Sequence, residues 1–489
     1  MRNSRWAALA LLASLSACGD AGTTPASDAA TTDAPPDPFD GEFDDGSDFP
    51  RTGCVAGSLA GFDRVEHWPA LSLRTALEPG LVTYQPWGEG DRAVPHALTA
   101  DDLLIRTVRQ AGDLWALDAV DVCAVDGDGT LRGHIGTCFS DGPCLTRPFT
   151  APPLRRIAGE AEAAHLTLLG EFAGTPAWTG QTYNVRVIGD LAYLARGTDG
   201  LRIVDLADPA RPRARGHFVA ADDYWNDLKL VTAGGRRYVV GASNVVRVVD
   251  VTDPDQPALV AELPTSAHTL FIDGTTAYLA LGFAGPVRIY ELADPRAPRL
   301  LGTIDGYDVH DLYVADGRAY LSDSFAGLRV VDVRDPTAPV ELGLDDVAGH
   351  YWHSPWVTEI GGAPIIVHGD EQTDSQLRIV DGRVGTPTFL DHLGTWPSPR
   401  PEVSIHNVMA VGARAYAAHY QDGVRVLDLT DPAHPTQVAH FNTWREHTGP
   451  AGFFNGCFGV DLDLARRRVY LADSIRGLII LGGDATVFP

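Results

Sequence analysis

Several residue types are scarce in this chain of 489 residues, and each scarcity excludes something. There are two methionines and a single lysine, Lys229, so the 38 basic residues are almost all arginines, against 64 acidic residues. The formal net charge of −26 argues against nucleic acids and anionic lipid headgroups as main partners, because both would be repelled. The chain also lacks a phosphate-binding glycine loop, a Cys-x-x-Cys pair, and the His-Glu-x-x-His and Gly-x-Ser-x-Gly motifs.

Glycine and proline, by contrast, are abundant, with 51 and 34 residues. Average usage of the two together is roughly 12%, and this chain exceeds it. With a hydrophobic content of 45%, the composition favours a turn-rich, β-dominated globular protein over a helical bundle or a disordered chain.

The N-terminus has the pattern of an export signal. Two arginines precede an apolar run that is too short to span a bilayer, and the run ends in residues 15–18 (LSAC). This ending resembles the lipobox of bacterial lipoproteins. The resemblance implies a signal peptide over residues 1–17, a lipid anchor on Cys18 and, because Gly19 follows, a cell-envelope location in the outer membrane, facing the periplasm or the surface. The alternative is an ordinary secretory signal with a chance cysteine.

Residues 18–50 are predicted to form an acidic, disordered tether, since they contain nine acidic residues and no basic one. Residues 51–155 are predicted to be a small β-rich region with disulfides, because an oxidising compartment would pair its cysteines, Cys54, Cys123, Cys138 and Cys144. Cys138 and Cys144 could close a small loop, which would leave Cys54 for Cys123, but three connectivities are possible. Residues 126–129 (DGDG) resemble the start of a calcium loop but lack its glutamate, and we interpret them as a tight hairpin turn.

A repeat of about 42 residues fills residues 160–489. The pentapeptide 201–205 (LRIVD) recurs with small changes at 246–250, 287–291, 328–332, 377–381 and 424–428, and in a degenerate form at 478–482. Five copies continue into an Asp-Pro-x-x-Pro turn, beginning at Asp208, Asp253, Asp294, Asp335 and Asp431. Two further β runs precede each pentapeptide and an outer strand, such as residues 298–304, follows the turn, so each unit predicts four short strands. Seven such units predict an all-β fold, a seven-bladed β-propeller.

The last repeat supplies only three strands, so closure of the ring needs a fourth strand from elsewhere. Residues 165–172 (HLTLLGEF) are similar to the outer strand at 298–304 (PRLLGTI). We therefore predict that this N-terminal strand closes the seventh blade.

The pentapeptide resembles that of the LVIVD-repeat family. Three later segments, at 369–371 (GDE), 406–408 (HNV) and 454–456 (FNG), resemble the choice-of-anchor group of bacterial surface propellers. The resemblance covers residues 160–489 and implies a propeller fold and a secreted or surface protein. It implies no particular chemistry.

Alignment of the first strand of each repeat brings seven residues to one position, in blade order Tyr183, Asn226, His268, His310, His353, His406 and Phe458. This position begins the innermost strand, so we expect the four histidines to converge at the mouth of the central channel. Imidazoles with nearby carboxylates suit Zn, Fe or Cu. The hypothetical metal site comprises His268, His310, His353, His406, His368, Glu371 and His419. The alternative is a repeat position that favours a polar aromatic residue for hydrogen bonding to the loop backbone.

The same face is predicted to carry further ligand-binding residues, namely Asn226, Asp323, Asp370, Trp396, Trp444, Arg445, His447 and Asp473. The sequence thus predicts a monomeric, lipid-anchored cell-envelope propeller that binds a protein or a small molecule on this face. A metal-dependent enzyme built on the histidine cluster is the alternative, and the lack of a recognisable nucleophile–base pair weighs against catalysis.

Overall fold

The computed structural model describes residue 43 and residues 48–60, 67–69, 73–75, 82–84, 92–111, 114–139, 144–173, 181–221, 223–282, 285–445 and 453–489. The expected signal peptide, Cys18, most of the expected tether and His447 lie outside the described residues. The chain divides into two compact units, Met1–Ala158 with Arg445–Phe454, and Gly159–Trp444 with Asn455–Pro489. Within the described ranges, no helix combines the length and the hydropathy that crossing a membrane requires.

Two antiparallel sheets make up the described strands of the first unit. The smaller sheet contains β1 (His67–Trp68), β2 (Leu73–Thr75) and β3 (Val82–Tyr84). The larger sheet contains β4 (Arg92–Leu98), β5 (Leu103–Ala111), β6 (Leu114–Val125), β7 (Leu131–Phe139) and β8 (Leu145–Ala151), in chain order. The turn between β6 and β7 is a tight hairpin, in which the Asp126 amide donates to the Thr130 carbonyl at 2.9 Å, so the prediction of a hairpin turn is confirmed.

Disulfides link Cys54 to Cys123 and Cys138 to Cys144, the pairing that the spacing favoured. Cys457, in the second unit, is a free and buried thiol. Burial raises its pKa well above the usual range, so this thiol is not a reactive thiolate at neutral pH.

The second unit contains the repeats. Its strands in chain order are β9 (Ala163–Ala164), β10 (Leu166–Phe172), β11 (Asn184–Ile188), β12 (Leu191–Ala195), β13 (Leu201–Asp205), β14 (Arg213–Phe218), β15 (Asp227–Ala233), β16 (Arg236–Ala242), β17 (Arg247–Asp250), β18 (Ala258–Glu262), β19 (Thr269–Asp273), β20 (Thr276–Ala280), β21 (Val287–Glu291), β22 (Arg299–Ile304), β23 (Asp311–Ala315), β24 (Arg318–Ser322), β25 (Leu328–Asp332), β26 (Val340–Asp345), β27 (Trp352–Ile360), β28 (Ala363–Asp370), β29 (Gln376–Asp381), β30 (His392–Pro397), β31 (Val408–Val411), β32 (Arg414–His419), β33 (Gly423–Asp428), β34 (Thr436–Phe441), β35 (Cys457–Asp463), β36 (Arg468–Asp473) and β37 (Gly477–Gly483).

These strands form seven antiparallel sheets. Each successive set of four from β11 to β34 forms one sheet, β9 joins the outer edge of the sixth, and β35, β36 and β37 form the seventh with β10 as its outer strand. The first strand of every sheet contacts the first strand of the next, and β35 contacts β11, so the sheets form a closed ring. The predictions of a β-propeller and of a closing N-terminal strand are confirmed.

The closing strand uses the same local device as the other outer strands. Gly170 in β10 and Gly302 in β22 each follow a bulge in the pairing with the neighbouring strand. A Cβ at either glycine would overlap a carbonyl oxygen of the next sheet, that of Pro209 or that of Pro336. Glycine at this position therefore allows the Asp-Pro turn of the next repeat to approach the outer strand closely.

Each of the five Asp-Pro turns is held by its aspartate. The carboxylates of Asp208, Asp253, Asp294, Asp335 and Asp431 all accept the backbone N–H two residues later, at 3.0 or 3.1 Å. These are the hairpin connections that the repeat predicts.

Apolar side chains fill the space between neighbouring sheets. At the junction of the first and seventh sheets, Val185, Leu194 and Val204 pack with Tyr470 and Ile480, and all five side chains are fully buried. Burial of an aliphatic side chain contributes about 1.5–3 kcal/mol relative to exposure. Burial between sheets thus stabilises the packing of each sheet against its neighbour.

Candidate metal centre at the inner ring

The seven aligned residues lie at the beginnings of the innermost strands. Tyr183, Asn226, His268 and His310 directly precede β11, β15, β19 and β23, His353 and Phe458 are second in β27 and β35, and His406 lies two residues before β31. We call this set the inner ring.

The four histidines of the inner ring are in contact with one another. Ring centroids are 4.2 Å apart between His268 and His310, and 5.1 Å apart between His310 and His353. The next pair, His353 and His406, is separated by 4.4 Å. The structure therefore brings together four imidazoles from four consecutive sheets.

The other side of the inner ring is aromatic and amide in character. Phe458 packs edge-on against His406 and against Tyr183, with centroid distances of 4.8 Å in both pairs. The Asn226 side-chain amide donates to the carbonyl oxygen of His268 at 3.0 Å. These three residues provide packing and a backbone hydrogen bond, but no carboxylate.

Glu371, in the loop after β28, places its carboxylate among three of the histidines. Oε2 lies 3.4 Å from Nε2 of His310 and 3.7 Å from Nε2 of His353, and Oε1 lies 3.7 Å from Nε2 of His406. The Glu371 side chain is fully buried. Ligand atoms of His310, His353 and Glu371 all lie within 4.8 Å of one another. We call His310, His353, His406 and Glu371 the ring cluster.

The second nitrogen of each histidine in the ring cluster has its own partner. Nδ1 of His310 lies 3.1 Å from the Tyr351 hydroxyl, Nδ1 of His353 lies 3.4 Å from the His406 carbonyl, and Nδ1 of His406 lies 2.8 Å from the Phe458 carbonyl. A carbonyl oxygen only accepts hydrogen bonds, so Nδ1 of His353 and His406 carries the proton. The lone pair of each of these two rings is then on Nε2, which faces the carboxylate.

Burial decides the protonation of these imidazoles. It holds the pKa of His353 well below the usual histidine range, and neighbouring histidines lower it further. Burial also lowers the pKa of His406, although the charge of Glu371 acts in the opposite direction. Burial alone would lower the pKa of His310, but the hydrogen bond with Glu371 and its charge outweigh burial and raise it. His353 and His406 are therefore neutral near pH 7, which is the form that binds metals.

Tyr420 belongs to the site and was missed by the sequence analysis. Its hydroxyl donates to Oε1 of Glu371, and its ring centroid lies 5.1 Å from that of His406. Tyr420 occupies the same repeat position as Gly197 and Ser324. Each of these three residues forms an isolated β-bridge to the residue that directly precedes the inner-ring residue of the next sheet. The backbone φ angles of Tyr420, Gly197 and Ser324 are all positive, at 22°, 47° and 42° respectively. A bulky aromatic residue with positive φ is uncommon, and its presence in this loop is the signal that could have identified it.

Three residues of the hypothetical metal site have other contacts. His268 reaches the ring cluster through its packing on His310. His368 is fully buried and stacks on Trp352 at 4.3 Å, and His419 lies 2.9 Å from the Ser398 hydroxyl. Among the described residues, neither His368 nor His419 belongs to a group of three potential ligand atoms within 4.8 Å.

The acidic residues expected on the ligand-binding face are engaged by their own repeats. Asp323 accepts two backbone N–H groups, at 2.6 and 3.1 Å, and Asp473 accepts two at 2.8 and 2.9 Å. Asp370 pairs with Arg378 of the same sheet. All three carboxylates are buried, and those of Asp323 and Asp473 hold loop backbone in place.

The remaining residues expected on this face are placed differently. Trp396 and Trp444 are buried, with 8% and 7% of their surfaces exposed. Arg445 belongs to the first unit, whereas the ring cluster belongs to the second.

Comparison with known proteins identifies the repeat. Residues 179–219, 306–345 and 404–443 match the LVIVD repeat, and they coincide with the first, fourth and sixth sheets. The chain is a β-propeller that contains three matched LVIVD repeats. Each matched LVIVD repeat contains one inner-ring residue, Tyr183, His310 or His406.

Solved structures of propellers resemble the LVIVD-repeat chain at low sequence identity. The WD40 β-propeller domain of Doa1 aligns with a TM-score of 0.47 and 9% identity, over 66% of this chain and 99% of that chain. Raptor of Chaetomium thermophilum aligns with a TM-score of 0.49 and 13% identity, over 66% of this chain and 30% of that chain. Likeness of this degree carries no argument about function. No curated protein matches the sequence.

Proposed function

We propose that this protein is a lipid-anchored binding module of the cell envelope that holds one divalent transition-metal ion in the ring cluster. The carrying observation is the convergence of three imidazole Nε2 atoms on the two oxygens of the buried Glu371 carboxylate, at 3.4, 3.7 and 3.7 Å. Three imidazoles and one carboxylate suit Zn, Fe or Cu.

The spacing of the donor atoms supports this proposal. Metal–ligand bonds of about 2.1 Å in tetrahedral geometry separate neighbouring ligand atoms by about 3.4 Å. The separations between Glu371 and the three histidines are within about 0.3 Å of that value. The ligand atoms of His310, His353 and Glu371 already lie within 4.8 Å of one another, whereas His406 is outside that group, so binding by all four residues requires His406 to move toward the others.

The orientation of the histidines gives independent support. A histidine that binds a metal through one nitrogen usually has the other held by a carbonyl, a carboxylate or water, which fixes the ring. Nδ1 is held in this way in His353 and His406, and the Tyr351 hydroxyl occupies the same position at His310. A role confined to hydrogen bonding of the loop backbone would not require three Nε2 atoms to face one carboxylate.

Metal content is the direct test. Tag-free protein with intact disulfides, stripped with a chelator and then equilibrated with zinc, should retain one tightly bound ion per chain by mass spectrometry. Glu371→Gln removes the charge of the single carboxylate in the ring cluster and should abolish this retention. Free zinc at 100 times the dissociation constant should stabilise the wild type by about 2.7 kcal/mol, measured by thermal unfolding.

The matched control for the metal test is His434→Ala, because His434 is an exposed imidazole that is 2.9 Å from Asp431 in an outer turn. This variant should bind zinc like the wild type. Retention of the ion by Glu371→Gln, or an equal loss in His434→Ala, would contradict the proposal.

The lipid anchor at Cys18 is the second part of the proposal, and the two disulfides of the first unit support it because such bonds persist in oxidising compartments. Replacement of Cys18 with alanine should release the protein from the membrane fraction of cells that express the full chain. An unchanged membrane fraction would show that Cys18 does not anchor the protein.

A further inference from the structure

The Cys54–Cys123 disulfide of the first unit lies against two further potential metal ligands. Cys123 is the extra residue of a bulge in β6, two residues after Asp121, and Asp121 is directly opposite His134 on β7. One ligand atom from each of these four residues lies within 4.8 Å of the others. Bulges often redirect side chains next to functional sites. We call Cys54, Cys123, Asp121 and His134 the disulfide cluster.

Two polar atoms of the disulfide cluster are buried without a hydrogen-bond partner. They are Oδ1 of Asp121 and Nδ1 of His134, in side chains with 0% and 4% of their surfaces exposed. A buried polar atom without a partner costs about 1–3 kcal/mol, and native proteins contain few of them. These two atoms lie on facing strands beside one disulfide, where an added ion could bind them.

Burial also disfavours the charged forms of both ionisable side chains in the disulfide cluster, Asp121 and His134. Burial, followed by the charge of Asp102, raises the pKa of Asp121 to about 7, although Arg51 acts in the opposite direction. Burial lowers the pKa of His134. Arg51 is the neighbouring cation, with its guanidinium 3.2 Å from Oδ2 of Asp121.

We propose that reduction of the Cys54–Cys123 disulfide creates a zinc-binding site made of the two cysteines, His134 and Asp121. A dithiol supplies two electrons and two protons, the sulfur–sulfur bond breaks, and the dithiol becomes a cyclic disulfide. The two cysteine thiols release their protons to solvent when they bind Zn²⁺. The oxidised cluster contains no thiolate and does not hold the ion.

The donor set and the geometry fit tetrahedral zinc. Cysteine sulfur, histidine nitrogen and aspartate oxygen are the usual protein ligands of zinc. Zinc–sulfur bonds of about 2.3 Å place two thiolates about 3.8 Å apart, so the sulfur atoms need to separate by about 1.8 Å after reduction. Cys54 is only partly buried and is preceded by a turn, which gives a reductant access to its sulfur. Zn²⁺ with two thiolates and one carboxylate has a net charge of −1. The Arg51 guanidinium beside Asp121 lies close enough to compensate this charge.

The Cys138–Cys144 disulfide provides an internal comparison. Among the described residues, it belongs to no group of three potential ligand atoms within 4.8 Å. Its reduction should therefore create no zinc site.

The test compares zinc and cobalt binding by the full chain before and after reduction with dithiothreitol and anaerobic desalting. Reduction should add one zinc ion per chain, and Co²⁺ in its place should give a thiolate-to-cobalt charge-transfer band. The ring cluster contains no sulfur donor, so this band reports cysteine ligands, and the Cys138→Ser with Cys144→Ser variant and the His134→Asn variant assign it to the disulfide cluster. The Glu371→Gln variant should lose the ion of the ring cluster and keep the band, which separates failure of this inference from failure of the proposed function.

Four variants complete the test. Cys138→Ser with Cys144→Ser should keep the additional zinc ion, whereas His134→Asn and Asp121→Asn should each weaken its binding more than tenfold. The last two variants retain the Cys54–Cys123 disulfide and can be purified folded in the oxidised state. The absence of an additional zinc ion on reduction, or an unchanged cobalt band in His134→Asn, would overturn the inference.

Discussion

The two sides of the inner ring use one repeat position for different purposes. On one side, four histidines from consecutive sheets contact one another, and three of them face the buried carboxylate of Glu371. On the other side, Phe458 and Tyr183 pack edge-on at 4.8 Å, and Asn226 donates to a backbone carbonyl. The repeat therefore determines where the inner-ring residue of each sheet is placed. The type of that residue determines whether its side chain packs against its neighbours or can bind a metal ion.

The aromatic side also affects the chemistry of the histidine side. Phe458 contacts His406 at 4.8 Å, and its carbonyl lies 2.8 Å from Nδ1 of the same histidine. The phenyl ring limits access of water to the imidazole, and the carbonyl fixes its tautomer. Electrostatic interactions strengthen where water is excluded, so the packing side supports metal binding without supplying a ligand.

The largest expected effect comes from His353→Phe, which gives the histidine side a residue found on the aromatic side. Phenylalanine is compatible with this repeat position because Phe458 occupies it in the seventh sheet. The variant loses one Nε2 donor, so its zinc affinity should fall more than about 100-fold, beyond the usual effect of a residue that only supports a ligand. Competition with a chelating dye measures this affinity, and a loss of less than tenfold would mean that His353 is not a ligand.

An intermediate effect is expected from Tyr420→Phe. This change removes the hydroxyl that donates to Oε1 of Glu371 and should weaken zinc binding about 10–100-fold. The control is Tyr416→Phe in the same sheet, where the lost hydroxyl donates to the Val487 carbonyl at 2.8 Å. The control should cost about 1 kcal/mol of unfolding free energy and leave zinc affinity unchanged. Equal zinc affinities in the two variants would remove Tyr420 from the site.

The smallest effect on metal binding is expected from Tyr183→Phe, on the aromatic side. Its hydroxyl donates to the Gln181 side chain at 2.6 Å, so its removal should cost about 1 kcal/mol of stability. Zinc affinity should equal that of the wild type in the same dye competition. A clear loss of affinity would show that the two sides of the ring are not functionally separate.

The repeat made much of the propeller predictable. Residues 165–172 could be assigned to the last sheet because their Leu-Leu-Gly pattern matches that of another outer strand, and both glycines avoid a carbonyl of the next sheet. The inner-ring residues could be aligned because the first and second strands of each repeat pair at a nearly constant distance. Local periodicity of this kind is preserved in the fold because each repeat contacts mainly its neighbours.

The composition of the ring cluster was less predictable. Glu371 and the histidines were included in the hypothetical metal site, together with His368 and His419, which the structure gives other contacts. Tyr351 and Tyr420 were not recognised, because their roles depend on contacts between sheets. Loops of different length place these side chains, and repeat spacing does not specify how such loops fold.

By itself, the sequence determined the β-propeller, the strand that closes it and the positions of the inner-ring residues, because these depend on strand periodicity and turn chemistry within each repeat. Only the tertiary structure decided that three Nε2 atoms face Glu371, that Tyr420 donates to it, and that Asp121 and His134 flank a disulfide. These arrangements join residues that are distant in the chain, and packing between sheets and strands sets their distances and their burial.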